Sequence, residues 1–316
     1  MRRNLSLGEF IVILSTAGII SFLLFYDFGK AGSRVIDTTI NFGHLPLFGV
    51  VALVVLRILG RGKRAGSRKS TYLLAWAITS FLGAFTECVQ AILPYRHFRI
   101  FDILTDSLGA ALFLTVTCSF HTGTEKRGIT LLRNGLLILM IIRAYPILSA
   151  AIDTWNMENN FPVLSSFETP LETSRWICRE GSMKRTSLHA TSGAYSLEVN
   201  LPPGMYPGIT LDSFVNDWRG YNQLSFDVFV DGTTPLRLST RINDRTHNEE
   251  YGDRYNRTFL LRPGNNRVSI KLDEVRTAPK GRLMDMSDIT VLCLFSYQLK
   301  EPRKAYFDNF RLENSG

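Results

Sequence analysis

The sequence predicts two structural classes in one chain, an α-helical membrane bundle of about five transmembrane helices and an all-β sandwich. Long apolar runs are confined to residues 9–153, whereas short alternating segments separated by Gly, Pro and Asn fill the chain from Phe167 onward. A helix needs about 20 apolar residues to cross the hydrocarbon core, and alternation between turn residues is typical of sandwich strands. We therefore expect a membrane domain over 1–153, a tether over 154–166 and a β domain over 167–316.

Five segments are long and apolar enough to cross a bilayer. The first segment is followed by Asp27 and Lys30 rather than by a small-residue cleavage site, which favours a retained anchor over a signal peptide. The predicted spans are Phe10–Tyr26, Ile40–Leu59, Tyr72–Leu93, Phe101–Phe120 and Leu131–Ile152.

Basic residues lie in alternate loops between these spans, and they account for much of the net charge of +8. Because cytoplasmic loops are enriched in Lys and Arg, the pattern predicts a multi-pass protein of the plasma (inner) membrane with a cytoplasmic N-terminus and an extracytoplasmic β domain. It also argues against nucleic acid as a partner. The residues are Arg2, Arg3, Arg61, Lys63, Arg64, Arg68, Lys69, Lys126, Arg127 and Arg133.

Polar residues concentrate at the predicted outer ends of spans two to four, where ionisable groups are expensive. They form either an outward-facing pocket for a head group or phosphate, or a set of contacts that locks the helices together. In the second reading Arg96 pairs with Asp102, and Arg143 pairs with Asp106 or Glu87. The predicted pocket residues are His44, Glu87, Gln90, Arg96, Asp102, Asp106 and Arg143.

This polar pattern resembles the VanZ-like family over about residues 35–120. The resemblance lies in Glu87-x-x-Gln90, Arg96 and Asp102-Ile-Leu-Thr-Asp106-Ser-Leu-Gly109, preceded by Asp37-Thr-Thr-Ile-Asn41, Pro46 and Gly49. The family more usually has asparagine at the position of Asp106, and two carboxylates four residues apart call for a cation, a raised pKa or Arg143 as a partner. The resemblance implies an envelope location and an outward-facing polar site, and it supplies no reaction.

Seven segments of the C-terminal half alternate as strands do, and no useful amphipathic helix separates them. Cys178 and Cys293 lie near opposite ends of this half, either as a disulfide in an oxidising compartment or as two separate thiols. The predicted strands are Ser196–Asn200, Leu224–Val230, Leu236–Ile242, Arg257–Leu261, Asn266–Leu272, Ile289–Tyr297 and Tyr306–Leu312.

The same half resembles jelly-roll carbohydrate-binding modules, also described as galactose-binding-like domains, over about residues 165–314. The likeness rests on Phe167-Glu168, Gly193-Ala-Tyr-Ser-Leu-Glu, Asp217-Trp-Arg-Gly-Tyr and Phe307-Asp-Asn-Phe-Arg-Leu. It implies an all-β jelly-roll sandwich, and it implies that Glu168 and Asp308 share a structural calcium, an ion that carboxylate oxygens suit.

Glycan binding needs exposed aromatic rings and polar groups that fix hydroxyls. The polar segment 241–251 offers Arg241, Asp244 and Tyr251, whereas most other aromatic residues are expected in the core. The favoured function is a non-catalytic factor in envelope or exopolysaccharide processes or in glycopeptide resistance, whose partners are the bilayer and an envelope glycan or lipid-linked saccharide. The alternative is a membrane enzyme acting on lipid-linked sugar or phosphate at the outer leaflet, and a transporter is disfavoured because the polar cluster is confined to one side.

Overall fold

The computed structural model describes residues 34–60, 68–92, 99–122 and 127–314, together with the isolated positions 15 and 18. Apart from positions 15 and 18, the first predicted span, Phe10–Tyr26, lies outside these residues. The chain divides into two compact units, Met1–Ala151 and Ile152–Gly316. The division falls inside the last long helix and close to the boundary predicted from composition.

Four helical segments among the described residues are long and apolar enough to cross a membrane, in agreement with spans two to five. The second span is two helices, because Gly43 forms a turn between them and donates its amide to Thr39 and Ile40. The helices are α1 (Arg34–Phe42), α2 (His44–Gly60), α3 (Arg68–Gln90), α4 (Ile100–Thr122) and α5 (Arg127–Asn160).

Helix α4 packs against α2 and α3 through glycines that allow close approach of the helices. A Cβ added at Gly109 would overlap the backbone carbonyl of Leu45, and one added at Gly49 would overlap the Phe113 ring. Gly83 gives similar space to the side chain of Asp106, because an added Cβ would lie 2.8 Å from Oδ2. Both glycines of the VanZ-like motif are therefore helix contact positions.

The C-terminal unit is a two-sheet antiparallel sandwich, as the strand pattern predicts. The strands are β1 (Val163–Ser165), β2 (Trp176–Glu180), β3 (Ser182–Thr186), β4 (Ser196–Leu201), β5 (Gly208–Leu211), β6 (Gln223–Val230), β7 (Leu236–Asp244), β8 (Tyr255–Leu261), β9 (Gly264–Lys271), β10 (Ile289–Phe295) and β11 (Arg303–Glu313), and a short helix α6 (Leu272–Arg276) follows β9. One sheet has the order β3-β4-β11-β6-β9, with β1 also paired to β11, and the other has the order β2-β5-β10-β7-β8.

A single hydrophobic core fills the space between the sheets, and it contains Trp218, Phe167, Phe226 and Phe310 with almost no exposure. All seven predicted strands occur at nearly the predicted positions. Strands β1, β2, β3 and β5 were not predicted, because they are short and, in β2 and β3, rich in charged and exposed residues.

Residues 154–166, predicted as a tether, begin with the end of α5 and continue into β1. Arg175 explains why this segment is ordered, since its guanidinium binds the carboxylate of Asp153 in a buried ion pair, with Nη2 2.7 Å from Oδ1. It also donates to the backbone carbonyl of Leu164 in β1. A buried arginine thus ties the last helical turns to the start of the sandwich.

All four cysteines lie within the described residues, and none of them forms a disulfide. Cys178 packs against the sandwich core, whereas Cys293 alternates with the buried Leu292 and Leu294 and so faces the other side of the same sheet. Of the two alternatives left open by the sequence, the structure has separate thiols.

Candidate functional site

The helical unit brings four of the predicted pocket residues together at one end of the bundle. His44 begins α2, Glu87 lies in the last turn of α3, and Asp102 and Asp106 occupy successive turns of α4. His44 Nδ1 lies 3.1 Å from Asp106 Oδ1, and Glu87 Oε2 accepts the Arg99 amide at 3.1 Å. All three carboxylates are buried. We call these four side chains the helical carboxylate cluster.

Three further predicted pocket residues have different positions. Gln90 is buried one turn after Glu87, and Arg96 lies outside the described residues. Arg143 donates to Thr105 Oγ1 through Nε at 3.1 Å and Nη2 at 2.8 Å. The expected pairing of Arg143 with Asp106 or Glu87 is not found among the described residues. The guanidinium donates instead to the Thr105 hydroxyl, on the neighbouring face of α4.

A basic surface covers the exposed side of the β2-β5-β10-β7-β8 sheet. Cys293 pairs in register with Arg241 on β7 and with Thr210 on β5. The charges of Arg241, Arg179 and Arg254 all act on the Cys293 thiol. We call Arg179, Arg241, Arg254 and Cys293 the basic face.

The guanidinium groups of the basic face are crowded and incompletely paired. Burial, together with the charge of Arg254, lowers the pKa of Arg241. Arg241 Nε donates to Asn243 at 3.0 Å, and Nη2 lies 3.7 Å from the exposed carboxylate of Glu249. Arg254 Nε is buried and has no hydrogen-bond partner among the described residues. Such a donor is costly to leave unmatched.

Exposed aromatic rings border the basic face. Tyr251 is 73% exposed, and the guanidinium of Arg254 lies 5.3 Å from its ring centre. Tyr206 is also largely exposed and packs edge-on against Phe295, which shares the face of Cys293. Trp218 and Trp176, in contrast, are core residues. The structure thereby separates the aromatic side chains that a ligand can reach from those that stabilise the fold.

Asp244 supports the neighbouring loop. Its two carboxylate oxygens accept from Arg282 at 2.6 and 2.9 Å, and Arg282 also binds Asp253. Hydrogen bonds from Arg282 hold the pKa of Asp253 well below its usual range. Asp253 accepts the amide of Asn248 as well. This Arg282 network fixes the loop that carries Tyr251, whereas Asp244 itself is buried and fully engaged.

Glu168 and Asp308, the predicted calcium ligands, bind one loop from two sides. Glu168 Oε1 accepts the amides of Ala194 and Tyr195. Asp308 Oδ2 accepts the amides of Thr191 and Ser192 at 2.7 and 2.9 Å. Burial raises the pKa of Asp308, and these amides act against that rise. Both carboxylates accept hydrogen bonds from backbone amides in this structure. A calcium ion shared by Glu168 and Asp308 stays a prediction.

The sequence did not reveal Arg179 and Arg254 as site residues. Arg179 lies on β2, which was not predicted as a strand, and Arg254 immediately precedes β8. The alternation of Trp176 with Ile177 in β2 is the signal that could have placed Arg179 near the exposed side. No sequence signal relates either arginine to Cys293, since the strand order brings them together.

Comparison with known proteins gives one family and a group of similar sandwiches. The VanZ/LLP1 family model matches residues 4–121. A family 11 carbohydrate-binding module from Clostridium thermocellum, in complex with a β-1,3-1,4-mixed-linked tetrasaccharide, is 18% identical with a TM-score of 0.40, covering 48% of this chain and 95% of that one. An exo-β-agarase is 15% identical with a TM-score of 0.41, covering 49% of this chain and 25% of that one. No curated protein matches the chain.

The helical match agrees with the motif residues, and its model extends beyond the predicted range of 35–120 at the N-terminal side. The strand order of the C-terminal unit independently gives the predicted all-β sandwich. Residues 4–121 accordingly match the VanZ/LLP1 family model, and a two-sheet antiparallel β-sandwich follows in the same chain.

Proposed function

We propose that this protein is a membrane-anchored receptor whose sandwich binds an anionic glycan of the cell envelope or an exported polysaccharide on its basic face. The observation that supports this proposal most is the group of three arginines around Cys293. One of them, Arg254, has a buried Nε donor without a hydrogen-bond partner in the part of the chain that the structure describes. The resemblance of the sandwich sequence to carbohydrate-binding modules supports a saccharide as the ligand. Its charge is inferred from the arginines.

The chemistry of the basic face suits a uronate or a sulfated sugar. Guanidinium groups bind carboxylates and sulfates through paired hydrogen bonds, which are stronger than bonds between neutral groups. Exposed tyrosines such as Tyr251 and Tyr206 offer apolar ring faces to a pyranose. Glu249 is a carboxylate within reach of Arg241, and because it is highly exposed an incoming anion can displace it.

The membrane orientation supports an extracytoplasmic position of the receptor. Basic loop residues favour a cytoplasmic N-terminus, and five spans then put the sandwich on the side where envelope glycans occur. A reporter fused after Asn160 tests this arrangement, since activity of a reporter that works only in the cytoplasm would contradict it.

Binding can be measured with the fragment 152–316, which is a compact unit with its own core. We expect saturable binding of a polyuronate by calorimetry and no comparable binding of a neutral glucan. Affinity for the polyuronate should fall steeply as salt is raised, because the arginines contribute through charge.

Charge-removing variants locate the site. Arg241→Gln and Arg254→Gln should each weaken polyuronate binding by about tenfold or more, whereas Arg262→Gln, an exposed arginine in the β8–β9 turn, serves as the matched control. Equal losses in all three variants would indicate unspecific attraction. If the neutral glucan binds tightly and its affinity is the same in the arginine variants as in the wild type, the sandwich is a glycan receptor whose ligand is not anionic.

A second candidate function is catalysis on a lipid-linked sugar or phosphate by the helical unit. The helical carboxylate cluster favours it, because buried Glu87 and Asp106 each have an oxygen without a hydrogen-bond partner among the described residues. Purified full-length protein that turns over a lipid-linked saccharide, and loses this turnover in Glu87→Gln, would support this function over the receptor alone.

A further inference from the structure

Three side chains of the helical carboxylate cluster place donor atoms at metal-binding separation. His44, Glu87 and Asp102 each offer one ligand atom, and these atoms lie within 4.8 Å of one another. One imidazole nitrogen with two carboxylate oxygens is a mixed set that suits first-row divalent ions such as Zn²⁺ and Mn²⁺, whereas Mg²⁺ and Ca²⁺ prefer oxygen alone.

The second observation is a buried oxygen that lacks a partner. Glu87 is 1% exposed. Its Oε2 accepts the Arg99 amide, which orients the carboxylate, while Oε1 is buried and has no hydrogen-bond partner in the described structure. An unmatched carboxylate oxygen is costly inside protein, and more so between apolar helices. A bound cation would remove this cost.

Among the described residues, the charges around the cluster are also unbalanced. Across the described parts of the helices, no lysine or arginine forms an ion pair with Glu87 or Asp102, and the guanidinium of Arg143 is bound to Thr105. His44 is the ion-pair partner of Asp106. A divalent ion would balance the charges of Glu87 and Asp102.

Asp106 is placed to orient the histidine. When His44 Nδ1 carries a proton, it donates to Asp106 Oδ1 across the observed 3.1 Å, and Nε2 keeps its lone pair. Metal-binding histidines usually have such a carboxylate on their other nitrogen, which fixes the tautomer and the ring orientation. Gly83 leaves the room in which the Asp106 side chain lies.

We propose that His44, Glu87 and Asp102 bind one first-row divalent cation, with Asp106 as a positioning residue. Three protein ligands leave further coordination positions for water or for an oxygen of a small ligand. The proposal does not depend on glycan binding by the sandwich.

The test uses the full-length protein in detergent or nanodiscs. The protein is stripped with a chelator, loaded with Zn²⁺ or Mn²⁺, dialysed and measured for metal content. We expect close to one bound ion per chain. Co²⁺ loading should produce visible absorption bands typical of nitrogen and oxygen ligation. Folded wild-type protein that retains no stoichiometric ion of any of these metals would overturn the proposal without recourse to variants.

Variants then assign the ligands. Glu87→Gln and Asp102→Asn should each lose the stoichiometric ion, and Asp106→Asn should retain it with affinity reduced by about 10–100-fold. Glu158→Gln, an exposed carboxylate near the end of α5 and outside the motif, is the matched control and should bind as the wild type does. Circular dichroism and elution as a single species verify folding. Full metal content in both ligand variants would refute this assignment.

Discussion

The two units bury carboxylates in different ways. In the sandwich, Glu172 accepts five hydrogen bonds from Ser165, Ser166, Phe167 and Thr169, and Asp244 is held by Arg282. In the helical unit, Glu87 and Asp106 each retain an oxygen without a partner among the described residues. A fully matched carboxylate stabilises the fold, whereas a buried carboxylate oxygen without a partner requires an explanation, such as the bound cation proposed above.

The largest effect is expected from breaking a buried ion pair of the sandwich, the one between Arg175 and Asp153. Arg175→Met removes the partner of buried Asp153, and we expect the free energy of unfolding of the sandwich in the full-length protein to fall by about 3–5 kcal/mol. Urea unfolding followed by tryptophan fluorescence measures it. Arg219→Met, which disrupts the exposed pair with Asp217, should leave stability nearly unchanged because exposed pairs contribute little. A similar loss in both variants would remove the distinction between buried and exposed pairs.

A matched pair of Glu→Gln variants compares the two units directly. Glu172→Gln should destabilise the sandwich by about 2–3 kcal/mol, since an amide NH₂ would face several backbone donors. Glu87→Gln should cost the metal-free full-length protein less than about 1 kcal/mol, because one of its oxygens has no bond to lose. Thermal unfolding measures both. A larger loss of stability in Glu87→Gln than in Glu172→Gln would contradict the expected difference between the two units.

Helix packing gives an effect of intermediate size. Gly109→Ala places a methyl group against the Leu45 carbonyl, and we expect it to cost about 1–2 kcal/mol of helical stability. Unfolding of the full-length protein in mixed micelles, followed by circular dichroism, measures this loss. Gly135→Ala has open space around its position and favours the helix, so it should be neutral or slightly stabilising. Equal stability of the two variants would show that close approach at Gly109 is dispensable.

The smallest expected effect is a change in pH dependence. The hydrogen bond from Arg282 lowers the pKa of Asp253. For Asp244 burial acts in the opposite direction, but Arg282 and the Asp285 amide outweigh it and its pKa is also lowered. Carboxylates with lowered pKa values stabilise the fold above the ordinary aspartate value of about 3.9, and this stabilisation is lost as pH falls below it.

Removing Arg282 should therefore flatten the acid side of the stability profile. We expect Arg282→Gln in the fragment 152–316 to be less stable than the wild type near pH 6 and to lose less additional stability between about pH 4 and about pH 2. Chemical unfolding at stepped pH values measures this slope. Arg262→Gln should retain the wild-type slope, and a wild-type slope in Arg282→Gln would contradict the role of the network.

The sequence by itself determined the two classes of unit, the spans that the structure describes, the seven longer strands and the concentration of polar residues at one end of spans two to four. These features follow from apolar run length, from alternation and from polar residues one helical turn apart, all of which are local in the chain.

Only the tertiary structure decided the partners of these residues. In the helical unit Arg143 donates to Thr105. In the sandwich Cys178 and Cys293 lie on opposite faces of one sheet, and Asp244 pairs with Arg282. Three arginines, Arg179, Arg241 and Arg254, lie around the thiol of Cys293. The physical reason is that a side chain's partner across strands or helices depends on strand order, register and helix rotation. These are fixed by packing of the whole unit rather than by neighbouring residues.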